Sequence, residues 1–278
     1  MLFKRFKTLV TIFVMVLTLS ATTFVLAAPP ATVGLLNPKT VPKYINQLVA
    51  NIPIYESTNI TDPTTGQLIR QDYTVDMTHF REQILPTGTV LVGSPDGKTT
   101  VWGYAGQAKD ATTGTSLGYF ENSPSATFLA TSGVPSQVKW VNNIDVPQFL
   151  PVDPTIHWAD PNNIPMNMPN VPANLLPPYP LYPPGFDGTV TATNPKGYNA
   201  QYPVPLVPHL HGAEVQSYSD GGPNAWFTFN GIHGSTYSTV APTDSNAAVY
   251  YYPNAQNPTT LWYHDHALGM TRLNVCQA

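Results

Sequence analysis

Thr260-Leu261-Trp262-Tyr263-His264-Asp265-His266 reads as a β-strand, a short run rich in β-branched and aromatic residues that follows Asn257-Pro258. Side chains alternate along a strand, so Trp262, His264 and His266 share one face while Tyr263 and Asp265 point the other way. Residues two apart have Cα atoms roughly 6 to 7 Å apart, so both imidazoles can face one metal site. The same spacing recurs at His209-Leu210-His211-Gly212, inside a second strand candidate, Val207 to His211. One His-x-His in a β protein is more often a surface or satisfied core feature than a ligand pair. Two copies carry four of the seven histidines, and two such strands lying side by side would converge four imidazoles on one point. His209, His211, His264 and His266 are therefore the candidate metal ligands. Imidazole suits zinc, copper, nickel and iron and does not by itself choose among them. Gly212 lets the backbone after His211 turn or be approached closely.

Further strand candidates are Tyr73 to Phe80, Thr89 to Val92, Thr99 to Tyr104, Ser125 to Ala130, Gln137 to Asn142 and Ala248 to Tyr252. All are short and bounded by Gly, Pro, Asp or Asn. This spacing predicts an all-β sandwich or barrel. Residues 28–73 read as an extended arm, broken by Pro38, Pro42 and Pro53, that wraps the domain and carries a short helical or irregular piece around Tyr44 to Ala50. Between Asp160 and Pro208 lie thirteen of the thirty prolines. That stretch is expected to be a long loop rather than an interdomain linker, because the segments on either side are too poor in strands to close a sheet alone. No internal repeat or heptad pattern is present.

Charged residues are 10% of the chain and the formal net charge is −4. No basic surface is available to neutralise phosphates, so nucleic acid is excluded as a partner. Lys4, Arg5 and Lys7, then an apolar run from Leu9 to Leu19 and small side chains before a cut after Ala27, predict a secretory signal peptide over residues 1–27. The apolar run is shorter than the ~20 residues that span a bilayer, and nothing later could span, so a secreted or cell-surface protein with no transmembrane segment is expected after cleavage. Cys276 is the only cysteine, and no intrachain disulfide can form.

His209-Leu210-His211-Gly212, Ser219-Asp220-Gly221, Ala225-Trp226-Phe227, Leu261 to His266 and Thr271-Arg272-Leu273-Asn274-Val275 together resemble the first domain of bacterial multicopper oxidases of the spore-coat laccase and bilirubin oxidase type. The resemblance continues upstream through Leu36-Asn37-Pro38-Lys39, Val101 to Tyr104, Lys139 to Asn143 and Leu150 to Pro154, and so covers nearly the whole of residues 28–278. It implies a cupredoxin-like Greek-key β-barrel or sandwich with a long Pro-rich loop over 160–208. It also implies a copper cofactor. His209 would bind a type 2 copper, and His211, His264 and His266 a type 3 pair, in a trinuclear cluster whose other ligands come from the last domain. Asp220 has two readings: an acidic group near the solvent channel with a part in proton delivery, or a turn residue in Ser219-Asp220-Gly221-Gly222. Trp226, Trp262 and Tyr263 are read as packing, and His79, His157 and His233 have no partner at ligand spacing.

The resemblance also implies motifs that this chain does not show, a His-x-x-His-x-His and a His-Cys-His. Cys276 has no histidine beside it, so type 1 copper ligands are absent. The chain is therefore expected to be a first cupredoxin domain, incomplete at its C-terminal end, with the later cupredoxin domains as missing partners. In the full enzyme O2 would be reduced to water while an organic or metal-ion electron donor is oxidised. The competing reading is a non-catalytic secreted copper-binding or structural coat or wall protein. A zinc hydrolase is disfavoured, because it needs an open water position and a general base, and the one nearby carboxylate, Asp265, points away from the histidines.

Overall fold

The computed structural model describes residues 36–47, 52–91, 94, 96–153, 156–162 and 199–277. Nine strands run through it. They are β1 (Pro53–Tyr55), β2 (Thr58–Thr61), β3 (Leu68–Glu82), β4 (Thr99–Asp110), β5 (Ser116–Asn122), β6 (Ser136–Asn142), β7 (Pro208–His211), β8 (Ala247–Tyr252) and β9 (Trp262–Asp265), and one short helix, α1 (Thr271–Cys276), follows. The all-β expectation is met. Among the described residues no helix is long and apolar enough to cross a membrane.

Seven strands form one sheet, in the order β1-β4-β3-β6-β8 with β2 on β3 and β5 on β4. Asp62 and Asp110 set two of its hairpins, β2–β3 and β4–β5. Each turns its Oδ1 onto two successive backbone N–H groups, Thr64 and Thr65 in one and Thr112 and Thr113 in the other, a side chain mimicking a backbone turn. β3 gives one edge first to β2 and then to β4, while β6 runs parallel along its other edge from Gln71↔Ser136 to Met77↔Asn142. The spatial order β6-β3-β4-β5 is that of a Greek key, with the returning strand parallel instead of antiparallel.

Alternation along these strands builds the core. Tyr73, Val75 and Met77 of β3, Val138 and Trp140 of β6, and Ala248, Tyr250 and Tyr252 of β8 are all buried in one cluster. Facing this sheet is a two-stranded ladder, β7 with β9, whose inner side chains Leu210 and Tyr263 pack against the cluster. Tyr263 makes edge or tilted ring contacts with Tyr104, Phe128 and Trp140 at 5.0, 5.4 and 5.8 Å, and its hydroxyl donates to the Ala126 carbonyl at 2.6 Å. A second apolar cluster around Trp158, Trp226 and Met270 supports the chain on either side of the ladder.

Several expectations need correction. The expected strand Thr89 to Val92 ends outside the described residues, and in its described part Leu91 makes only an isolated bridge to Ser94. Ser125 to Ala130 contributes a single bridge, Thr127 to Ile54. The expected arm is in part sheet, since β1, β2 and the start of β3 fall within it. β5 was not foreseen; it is an edge strand whose residues are exposed or half-buried, so its hydrophobic pattern is weak. The signal-peptide residues 1–27 and most of the Pro-rich segment lie outside the described residues. The described ends of that segment meet, with Asn162 Nδ2 donating to the carbonyls of Asn199 and Tyr202 at 2.8 and 3.1 Å.

Asn142 ties the end of β6 to the segment that leads into β7 and to Phe227. Fully buried, it donates to the carbonyls of Val204 and Phe227 at 3.2 and 2.8 Å and accepts from Ile144 N at 3.0 Å. Replacing Asn142 with Leu keeps the volume but strands three polar groups, and should cost about 2–4 kcal/mol. Urea denaturation measures this, and an unchanged midpoint would show the bonds to be dispensable.

Candidate metal centre

The ladder is antiparallel, with Pro208↔Asp265, His209↔His264, Leu210↔Tyr263 and His211↔Trp262 in register. The bond from His266 N to Val207 O at 2.9 Å carries the same register one step further. The period of two then sorts the side chains, with Leu210, Tyr263 and Asp265 inward and His209, His211, Trp262, His264 and His266 on the opposite face. The side-by-side strands expected from the two His-x-His pairs are present.

Ligand nitrogens of His209, His211 and His264 all lie within 4.8 Å of one another. His266 falls outside that group, although its ring stacks on His209 with centroids 4.7 Å apart. His211 Nδ1 and His264 Nε2 are 3.2 Å apart. Two nitrogens bound tetrahedrally to one ion at ~2.0–2.1 Å would be ~3.3 Å apart, so this pair already stands at ligand spacing.

Backbone carbonyls set the imidazole tautomers. His209 Nδ1 donates to the Asp220 carbonyl, and His264 Nδ1 donates to the Asp265 carbonyl at 2.7 Å. With the proton held on Nδ1, each Nε2 keeps its lone pair for the cluster, the arrangement that orients metal-bound imidazoles. Burial holds His264 and His266 below the usual imidazole pKa, and the neighbouring histidines add to it. Both rings therefore stay neutral and able to ligate at neutral pH. His266 Nδ1 is buried with no hydrogen-bonded partner among the described residues, although the nearby Gly221 carbonyl favours its protonated form.

Asp220 sits after a 3-10 turn, Ser217–Ser219, anchored by Tyr251 N donating to Ser219 Oγ at 3.0 Å. Gly221 then passes β7 with φ of 71°, so close that a Cβ would lie 2.0 Å from the Pro208 carbonyl oxygen. This approach is what brings the Asp220 carbonyl to His209. Asp220 is therefore a turn residue and also a partner of His209 through its backbone, while its carboxylate Oδ1 stands 3.5 Å from His209 Nδ1.

Asp265 points away from the histidines, as the alternation requires. Its buried carboxyl accepts from Val207 N at 2.8 Å, Ala267 N at 3.2 Å and Asn274 Nδ2 at 2.9 Å, and burial pushes its pKa up to about 6 against those donors. Asn274 of α1 also accepts from the buried Gln148 at 3.0 Å. Trp262 departs from its reading as packing. It is 58% exposed, and its indole overlies His211 and His264 with centroids at 4.9 and 4.5 Å. The two backbone carbonyls and the indole cover were missed by residue spacing. Of the other histidines, His79 pairs with Asp145 at 3.1 Å and His233 stacks on Tyr237, both away from the cluster.

A strand ladder presents four imidazoles on one face, and the cluster of His209, His211 and His264 among them fits a metal ion. The comparisons narrow this. A rice (Oryza sativa) protein named multicopper oxidase LPR1 homolog 1 is 37% identical over 153 residues, 55% of this chain and 18% of that protein. Bacillus subtilis laccase is 33% identical over 138 residues, 50% of this chain and 18% of its own length, and Haloferax volcanii laccase is 27% identical over 204 residues, 73% and 24% respectively. Over at least half its length the chain is thus related to multicopper oxidases and laccases, and it spans only 18% to 24% of these three relatives. A solved multicopper oxidase from Campylobacter jejuni aligns with 89% of this chain and 31% of its own, at 13% identity and a TM-score of 0.45. No protein-family model matches the chain.

Gly221→Ala should push the turn off β7, withdraw the Asp220 carbonyl and weaken metal binding about 10–100-fold, as loss of a ligand's orienting partner does. Asp220→Asn keeps that carbonyl and should bind within a few-fold of the parent. Equilibrium dialysis of copper(II) against both variants checks the pair, and the reverse ranking would place the role in the carboxylate.

Proposed function

We propose that this chain is the copper-binding first-domain portion of a laccase-type oxidoreductase, exported after removal of residues 1–27. His209 holds a type 2 copper, and His211, His264 and His266 hold a type 3 pair. The supporting observation is the β7–β9 register, which brings both His-x-His pairs onto one face, with the Nε2 lone pairs of His209 and His264 freed by backbone carbonyls. The relatives' names, laccase and multicopper oxidase, favour copper among the metals that imidazole accepts. Copper, when bound, supplies the one-electron chemistry that couples oxidation of an organic or metal-ion donor to reduction of O2 to water.

The chain's own residues prepare the site. Asp220 and Asp265 hold protons on Nδ1 of His209 and His264 through their carbonyls. Burial keeps His264 and His266 neutral. The half-buried Asp220 carboxylate, beside His209, is placed to take up and release a proton at Oδ1.

Titrating the full chain with copper(II) tests the reading. Binding should quench Trp262, which overlies two of the ligands, and His264→Ala should weaken affinity at least about tenfold, the loss of one metal bond with its orienting shell. Unchanged affinity in that variant would overturn the assignment. The isolated chain should not turn over a phenolic dye, and robust turnover would show that these residues suffice for oxidase chemistry.

A further inference from the structure

Asp265 acts on the ladder twice, through its backbone and through its side chain. The bond from His266 N to Val207 O makes that pair a hydrogen-bonded position, so by antiparallel alternation Pro208↔Asp265 is a non-hydrogen-bonded one. The Asp265 carbonyl is therefore turned away from β7 and left to accept the Nδ1 proton of His264, at 2.7 Å. The side chain points inward, where Oδ1 takes Val207 N at 2.8 Å and Oδ2 takes Ala267 N at 3.2 Å. A carboxylate that holds the N–H two residues along fixes the peptide planes between them. The first of those planes carries the carbonyl that His264 uses. Oδ2 is aimed in turn by Asn274, whose Nδ2 donates to it at 2.9 Å and to the Pro205 carbonyl at 3.0 Å, while Asn274 Oδ1 accepts from Gln148 Nε2 at 3.0 Å. A carbonyl only accepts, and so does an ionised carboxylate, so the amide of Asn274 has one orientation here. Gln148, Asp265 and Asn274 are all buried.

We propose that Asn274 is a positioning residue for the metal centre: acting through Asp265 it fixes the tautomer of His264, and Gln148 fixes Asn274. The proposal deepens the copper-binding reading and rests on it for the metal, whereas the tautomer is a property of the metal-free chain. Asn274 hydrogen-bonds to no imidazole; its partners are Asp265, Pro205 and Gln148. Without its amide, Oδ2 keeps only Ala267 N, the peptide plane after Asp265 is free to tilt, and His264 Nδ1 loses an aligned acceptor. The ring then passes to the Nε2–H form that histidine side chains favour in water. That form has no lone pair on Nε2, the nitrogen that stands 3.2 Å from His211 Nδ1, and so cannot ligate from the cluster side.

Long-range nitrogen-15 NMR of the metal-free full chain, at mildly alkaline pH where the rings are neutral, reads the tautomer. The His264 signal, assigned by its loss in His264→Gln, should show a protonated Nδ1 and a bare Nε2. Asn274→Asp keeps the shape but sets acceptors against acceptors, and should move most of that population to the Nε2–H form. Asn274→Ala, which brings no charge into the core, should do the same, and Gln148→Met should move a smaller part of it. Asn142→Leu loosens the fold elsewhere and should leave His264 unchanged, which separates positioning from lost stability. In equilibrium dialysis both Asn274 variants should bind copper(II) about 10–100-fold more weakly than the parent. A variant at Asn274 or Gln148 that is folded by circular dichroism and keeps His264 fully Nδ1-protonated overturns the proposal, and so does an equal shift in Asn142→Leu. A shift confined to the Asn274 and Gln148 variants, in a parent chain that takes up no copper(II), upholds the positioning role and overturns the copper-binding reading alone.

Discussion

Register between β7 and β9 is the constraint on which the site depends. Because side chains alternate with a period of two, a slip of one residue in either strand would send its imidazoles into the core and its apolar side chains into solvent. The observed pairing, His209 opposite His264 and Leu210 opposite Tyr263, satisfies both faces at once. Leu210 and Tyr263 are what the core selects for, and the histidines take their direction from that choice. The hydrophobic effect thus aims the ligands, without any strong interaction among the imidazoles themselves.

The register is locked at its end by a polar device under the ladder. Asp265 holds Val207 N across the strands and Asn274 of α1 below them, and Asn274 in turn holds Pro205 and Gln148. Burying such groups is costly unless every donor and acceptor is matched. Here three donors converge on one carboxyl, so the network specifies one arrangement of strand, helix and preceding loop. The inward side of β9 therefore determines where its histidine-bearing side sits.

Much of this was legible in the sequence, because the two His-x-His pairs lie in segments whose alternation also meets the demands of the core. β3, β4, β6 and β8 were legible for the same reason, each with a strong inward row such as Tyr73, Val75 and Met77. β1, β2 and β5 were not, since they lie at edges, and Leu117 and Tyr119 are exposed hydrophobics that give no inward-outward contrast. The carbonyl partner of His209 could not be read at all. It comes from a backbone atom eleven residues away, delivered by the contact of Gly221 with Pro208, and no residue type marks a carbonyl. Trp262 was misjudged because aromatic residues in strands usually face the core, whereas this one shares its face with the histidines and so stands outside.

A cavity of about 720 Å3 separates parts of the ladder from the main sheet, lined by Trp102, Tyr104, Phe128, Tyr263 and Asn274 among others. A two-stranded ribbon is marginal in water by itself, so the ladder depends on what ties it to the rest of the fold: Tyr263 against Tyr104, Phe128 and Trp140, and the Asp265–Asn274 network beneath it. The histidine-bearing ribbon and the seven-stranded sheet are thus coupled in part by a handful of rings. Selection for metal binding would then act on those rings as strongly as on the histidines, and drift at Trp140 or Tyr104 would erode the site from a distance while leaving every ligand in the chain.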